Sequence, residues 1–146
     1  MATLTVEIVT PEAPLFSGTA AALVARSSEG DFTILPQHTS TVGDVVSSIV
    51  RVETAEGTLA FAVHSGFFQV GKGLGEDETL ATVLAGVAER TSEIDVARAQ
   101  AAKDAAEAKL AAVNRADHGD DEEQLVALAA LERAQLRLRA AEFSAS

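Results

Sequence analysis

Up to about residue 90 the apolar positions alternate with polar ones or gather in short β-branched runs, and after Ile94 they recur every three or four residues. The period switches from about 2 to about 3.6, that is, from strands to helices. In the first half, Leu4, Val6 and Ile8 alternate with Thr3, Thr5 and Glu7 until Pro11 and Pro14 end the run, and residues 15–18 make a short apolar return. Strand-like stretches follow at 20–26, 32–35, 41–52 (divided near Ser47-Ser48), 58–64, 67–70 and 79–87, separated by turns rich in Gly, Ser, Asp and Glu. Eight to ten short strands, with turn signals about every eight to twelve residues, predict an antiparallel β-sandwich or flattened barrel.

In the second half, Ile94, Ala97, Ala101, Ala105, Ala108 and Ala112 form a seam at helical spacing. Gly119 interrupts it, and a second helix is predicted to open at Asp120 or Asp121, with Ala127, Leu131, Ala134, Leu138 and Ala141 on one stripe. Two helices of roughly twenty residues joined by a short loop predict an antiparallel hairpin. At the switch itself, Ser92 with Asp95 three residues on has the form of a capping box that starts the first helix. The fold class is therefore α+β in two parts: a sandwich over residues 1–88 and a helical hairpin over 89–146. An alanine seam lets helices approach closely but holds them weakly, since a buried methylene contributes only about 0.8 kcal/mol against roughly 1.5 to 3 for a leucine. Such a hairpin is a candidate switch.

Composition narrows the function classes. No apolar run reaches the roughly 18 to 20 residues of a membrane span, and the N-terminus lacks a signal-peptide pattern. The expectation is a soluble chain that meets a membrane only through a complex. The formal net charge of −11 repels phosphate backbones and anionic lipid, so no nucleic-acid partner is expected. With no cysteine, and with His38, His64 and His118 scattered, neither redox chemistry nor a metal site is predicted. Gly71-Lys72-Gly73-Leu74-Gly75 lacks the order and the following helix of a phosphate loop. Glu29 and Asp31 read as a solvated turn rather than an acid/base pair, because nothing apolar nearby would separate their pKa values. No nucleophile, general base or catalytic residue is predicted.

One constellation stands out. Asp95 and Arg98 are three apart on the first helix, Arg133 and Arg137 four apart on the second, and an antiparallel hairpin brings both pairs toward its open end. The arrangement suits either a surface ion-pair network or an anion site with arginines for phosphates.

Four stretches in order give the chain a family resemblance. They are Val6-Glu7-Ile8-Val9-Thr10-Pro11-Glu12 with Phe16-Ser17-Gly18; Ser28-Glu29-Gly30-Asp31-Phe32-Thr33-Ile34-Leu35-Pro36-Gln37-His38; His64-Ser65-Gly66-Phe67-Phe68-Gln69-Val70; and Ile94-Asp95-Val96-Ala97-Arg98-Ala99. Over essentially its whole length the sequence resembles the epsilon subunit of bacterial F-type ATP synthase, called delta in mitochondria. The resemblance implies a non-catalytic central-stalk subunit, peripheral at the cytoplasmic face of the bacterial membrane. It implies a ten-stranded sandwich docked on the gamma shaft and the c-ring, with a hairpin that extends toward the alpha/beta catalytic head and inhibits ATP hydrolysis. ATP is implied as a regulatory ligand rather than a required cofactor. Its candidate site is Glu89, Ile94, Asp95, Arg98, Ala99, Arg133 and Arg137, and the candidate c-ring contacts are Asp31, His38 and Thr39. Ala105 stands where nucleotide-binding members carry a further arginine, and Gln37 and Ser40 where the family usually has Gly and Pro. The competing readings are a sandwich adaptor with a helical tail and a small hydrolase on a sandwich scaffold.

Overall fold

Alternation in the sequence becomes alternation in burial. In β1 (Thr3–Val9) Leu4, Val6 and Ile8 are fully buried while the residues between them keep access to solvent. The same alternation is seen in β6 (Ser48–Thr54) and β9 (Glu78–Ala85); β7 (Gly57–Val63) instead buries Ala60 to Val63 without a break, and the remaining strands are β2 (Pro14–Ala20), β3 (Ala22–Ser27), β4 (Gly30–Ile34), β5 (Thr41–Val45), β8 (Gly66–Lys72) and β10 (Ala88–Arg90). The computed structural model describes residues 2–115 and 121–145. Its strands form two five-stranded sheets, in the orders β2-β1-β9-β8-β5 and β10-β7-β6-β3-β4. Between them lies one core that includes Leu4, Val6, Ile8, Leu23, Ile34, Val50, Phe61 and Val83. Phe16 and Phe61 pack at a ring-centroid distance of 6.1 Å, and Phe32 stacks on Phe68 at 4.4 Å.

Two expectations are corrected here. The sheet is not wholly antiparallel: β1 pairs β9 in parallel, Leu4 beside Thr79 and Ile8 beside Val83. Residues 15–18 are no mere apolar return but lie within β2, paired along β1. The chain forms two compact units, Met1–Arg90 and Thr91–Ser146, with Ala88–Arg90 paired to β7. Gly66, which opens β8, runs so close to the Leu84 carbonyl that a Cβ there would collide with backbone, which accounts for glycine at that position.

In the second unit, a 3-10 turn at Thr91–Glu93 precedes α1 (Val96–Arg115), and α2 is Asp121–Ala145 with Asp121, Glu122 and Glu123 in its first turn. The predicted break around Gly119 lies outside the described residues. The helices pack on each other, and residues at the start of α1 line one groove with residues at the end of α2, so the pair is antiparallel. The predicted stripe on α2 holds, with Ala127 and Ala134 buried and Leu131, Leu138 and Ala141 half-buried; Leu136 and Ala140, absent from it, are also buried.

The seam on α1 does not hold. Ala97, Ala101, Ala105, Ala108 and Ala112 are all exposed, and the packed line is Ala99, Lys103, Ala106, Leu110 and Val113. At about 100° per residue the two lines are roughly 200° apart, so the sequence pattern pointed to the wrong face. With methyl groups on both faces, hydrophobic period gives no phase. The predicted cap is also misplaced. Asp95, not Ser92, is the N-cap: its Oδ1 accepts the Arg98 N–H (3.1 Å) and its carbonyl accepts the Ala99 N–H (3.0 Å). Ser92 is taken up in the 3-10 turn.

Candidate functional site

Three surfaces carry the chemistry worth testing. The first is one flank of the hairpin. A groove of about 700 Å³ opens along one side of the packed line, between Val96, Gln100 and Lys103 of α1 and Gln135, Leu138, Arg139 and Glu142 of α2. Asp95 and Arg98 fall on the other side of that line, about 40° and 100° before Ala99 on the helical wheel. Arg133 and Arg137 likewise fall about 100° and 60° to the other side of Ala134. In an antiparallel pair these two sides coincide, so the four predicted residues share one flank, opposite the groove.

The remaining predicted site residues play different parts. Ile94 and Ala99 are buried, so their side chains serve packing rather than ligand contact. Glu89 belongs to β10, opposite Ala62, in the sandwich unit. Asp95 and Arg98 are exposed, and the Asp95 carboxylate is already occupied as a cap. The flank offers three guanidinium groups and one carboxylate, which can hold an anion but cannot activate a nucleophile. Among the described residues no group of three His, Asp or Glu side chains could hold a metal ion.

The second surface is the open side formed by β4 and β5, each the edge strand of its sheet. Asp31 stands at the start of β4, where Arg26 Nε donates to its Oδ1 (2.6 Å) and holds the carboxyl below its ordinary range by hydrogen bond first and charge second. Ser28 in the same turn is latched to β5, its N–H and Oγ–H donating to the two oxygens of Asp44 (3.1 Å each). His38 and Thr39 lie beyond the other end of β4, in a tight turn where the His38 N–H donates to the Leu35 carbonyl (3.1 Å). The structure therefore places the three predicted residues on one edge but at its two ends, roughly a strand length apart.

Sequence reasoning missed the third surface. On the outer face of the first sheet Phe67 (63 % exposed) lies directly across from Leu84 (49 %), with Val42 (73 %) on the next strand over. The signal was available: consecutive phenylalanines in one strand cannot both face the core, and Phe68 does. Three large apolar side chains grouped on a sheet face mark an interaction surface.

Profiles of known families match both units. That of the ATP synthase, Delta/Epsilon chain, beta-sandwich domain covers residues 3–91, and that of the long alpha-helix domain covers residues 92–142. The chain belongs to the ATP synthase delta/epsilon chain family. It is 40% identical over 105 residues to the ATP synthase epsilon chain of Pelotomaculum thermopropionicum, covering 72% of this chain and 74% of that one. It is 36% identical over 139 residues to the epsilon chain of Pediococcus pentosaceus, covering 94% and 89%. A chain in the Euglena gracilis mitochondrial ATP synthase (OSCP/F1/c-ring) has the same fold, with a TM-score of 0.74 and 21% identity over 99% of this chain and 82% of that one. Membership in the delta/epsilon family makes this a non-catalytic chain of ATP synthase, as its sequence motifs implied. Among the described residues, no helix is long and apolar enough to cross a membrane.

Proposed function

We propose that this delta/epsilon-type chain couples the rotor at the cytoplasmic face of the membrane, its sandwich docked on the gamma shaft through the Phe67–Leu84–Val42 face and on the c-ring through the β4–β5 edge. The hairpin acts as a brake, extending toward the alpha/beta head to slow ATP hydrolysis. The observation that carries this reading is the hairpin's construction. It is a separate unit whose buried side chains are mostly alanines, with a second row of alanines left open on α1. Helix propensity keeps such helices formed while their docking stays weak. Adding the full chain to head–shaft complex lacking it should lower the ATPase rate; absence of binding to the shaft at micromolar concentration would sink the reading.

ATP is the proposed regulatory ligand, held on the flank that carries Asp95, Arg98, Arg133 and Arg137, next to Ile94 and Ala99 and with Glu89 upstream. Binding at millimolar Kd corresponds to only about −4.1 kcal/mol, and ligand at ten times its Kd stabilises the bound form by roughly 1.4 kcal/mol. That suffices to bias a weakly docked hairpin. Calorimetry with MgATP at several millimolar tests it, and neither heat nor a thermal shift would exclude nucleotide sensing. A second reading, that these residues only cap and latch the hairpin, is favoured by the bond from the Arg98 N–H to Asp95. Asp95→Asn separates the two, since asparagine caps as well as aspartate but lacks the charge.

A further inference from the structure

Asp44 ends the apolar row on the outer face of the first sheet. It lies across from Phe67, and Phe67 across from Leu84, so the three form one row over β5, β8 and β9, with Val42 two residues from Asp44 on the same side. The strand that supplies Val42 and Asp44 is five residues long and is the edge of its sheet, paired with β8 alone. No ladder joins it to β4, the edge of the other sheet. A short strand hydrogen-bonded on one side opens more easily than a central one.

Side-chain chemistry closes this gap. Ser28, in the turn between β3 and β4, donates its N–H to Asp44 Oδ2 and its Oγ–H to Oδ1, both at 3.1 Å. A carboxylate has two acceptor oxygens and no donor, so one aspartate takes both bonds, and its charge strengthens them. Just beyond, the Val46 N–H donates to the Arg26 carbonyl (3.0 Å), which ties the end of β5 to the β3–β4 hairpin a second time. The turn on the far side is itself braced: Ser27 Oγ donates to the Gly30 carbonyl (3.2 Å) and accepts the Glu29 N–H (3.1 Å), while Arg26 holds Asp31. The clasp is therefore anchored in a fixed turn. We propose that Asp44 is a positioning residue for shaft docking: through Ser28 it holds the end of β5 in place, so that Val42, Phe67 and Leu84 meet the shaft as one fixed surface. This rests on the docking of that face proposed above, and adds to it a residue that acts through β5 rather than by contact.

Hydrogen exchange and binding, both on the full chain, test it. The Val46 N–H is the reporter, since its bond crosses the gap without involving the Asp44 side chain. In Asp44→Ala it should exchange about fivefold faster, the effect of roughly one net hydrogen bond, while the sheet signal in circular dichroism stays as in wild type. Affinity for head–shaft complex lacking this chain should fall by a similar factor. Ser28→Ala, which alters nothing on the docking face, should move both readouts the same way by less, and the double variant should be no worse than Asp44→Ala. Asp44→Asn should restore both, because its carbonyl accepts the Ser28 N–H and its amide donates to Ser28 Oγ. Wild-type exchange at Val46 in Asp44→Ala overturns the proposal. So does unchanged affinity in both alanine variants, or an affinity loss in Asp44→Ala that Ser28→Ala does not share and Asp44→Asn does not rescue, which would mark a direct charge contact. Failure of wild type to bind the head–shaft complex overturns the docking reading instead, and the exchange result then decides the clasp alone.

Discussion

The sandwich and the hairpin bury their residues with different means. The sandwich core is made of large side chains, Phe61, Leu4, Ile8, Leu23 and Ile34 among them, each without solvent contact. The hairpin buries mainly Ala99, Ala106, Ala127, Ala134 and Ala140, with Leu136 its one fully buried large side chain among the described residues. Per residue the second arrangement removes far less apolar area from water. One unit is built to keep its shape, and the other to form helices easily and hold them loosely. The difference concentrates the packing energy in the sandwich.

The sharpest way to break that comparison is in the sandwich core. Phe61→Ala should cost about 3 to 5 kcal/mol, read as a fall in the urea midpoint of the sheet signal; a cost under about 1 kcal/mol would mean that large side chains do not carry this unit. In the hairpin, Leu136→Ala should cost about 2 to 3 kcal/mol, followed by the helical circular dichroism signal. No single alanine-to-glycine change on the packed line should match it. Asp95→Ala removes the N-cap of α1 and should cost about 1 kcal/mol, whereas Ser92→Ala should leave the helical melt in place. Ala105→Arg adds a cation on the same flank as Arg133. It should change stability by less than about 0.5 kcal/mol while tightening ATP binding in calorimetry, and unchanged affinity would argue that the flank is only a latch.

The smallest effect is electrostatic. Arg26 holds the Asp31 carboxyl below its ordinary range, so the pair's contribution is present in full above the ordinary carboxylate pKa of about 3.9. It is lost as pH falls through the lower folded value. Both groups are exposed, so the loss is slight and screened by salt. A chemical-shift titration of Asp31 should show the depressed midpoint in wild type and an ordinary one in Arg26→Ala.

Most of the sandwich was legible because alternation encodes both period and phase: once Leu4, Val6 and Ile8 are set inward, their neighbours have no choice of face. The parallel pairing of β1 with β9 was not, since a strand's pattern says which face is buried and not which strand lies alongside. In α1 alanine satisfied every register, so the period was right and the face wrong by about half a turn. The Asp95 cap was obscured by the 3-10 turn at Thr91–Glu93, which shifts the helix start downstream of the first serine. Of the candidate site, the placing of Asp95, Arg98, Arg133 and Arg137 on one flank followed from their spacing in an antiparallel hairpin, whereas spacing did not show that Asp31 lies a strand length from His38 and Thr39. The Phe67 face escaped although its signal, two consecutive phenylalanines in one strand, was in the sequence.

The parallel pairing also dictates an order of events at the ribosome. Leu4 waits for Thr79, 75 positions later (79 − 4), before its side of the sheet can close, so the earliest strand of the sandwich is among the last to gain both neighbours. Until then the apolar row of β1 is a nascent-chain liability of the kind chaperones hold. The last strand of the sandwich emerges immediately before the hairpin, whose helices form from local contacts. The sandwich can therefore close before the hairpin has emerged.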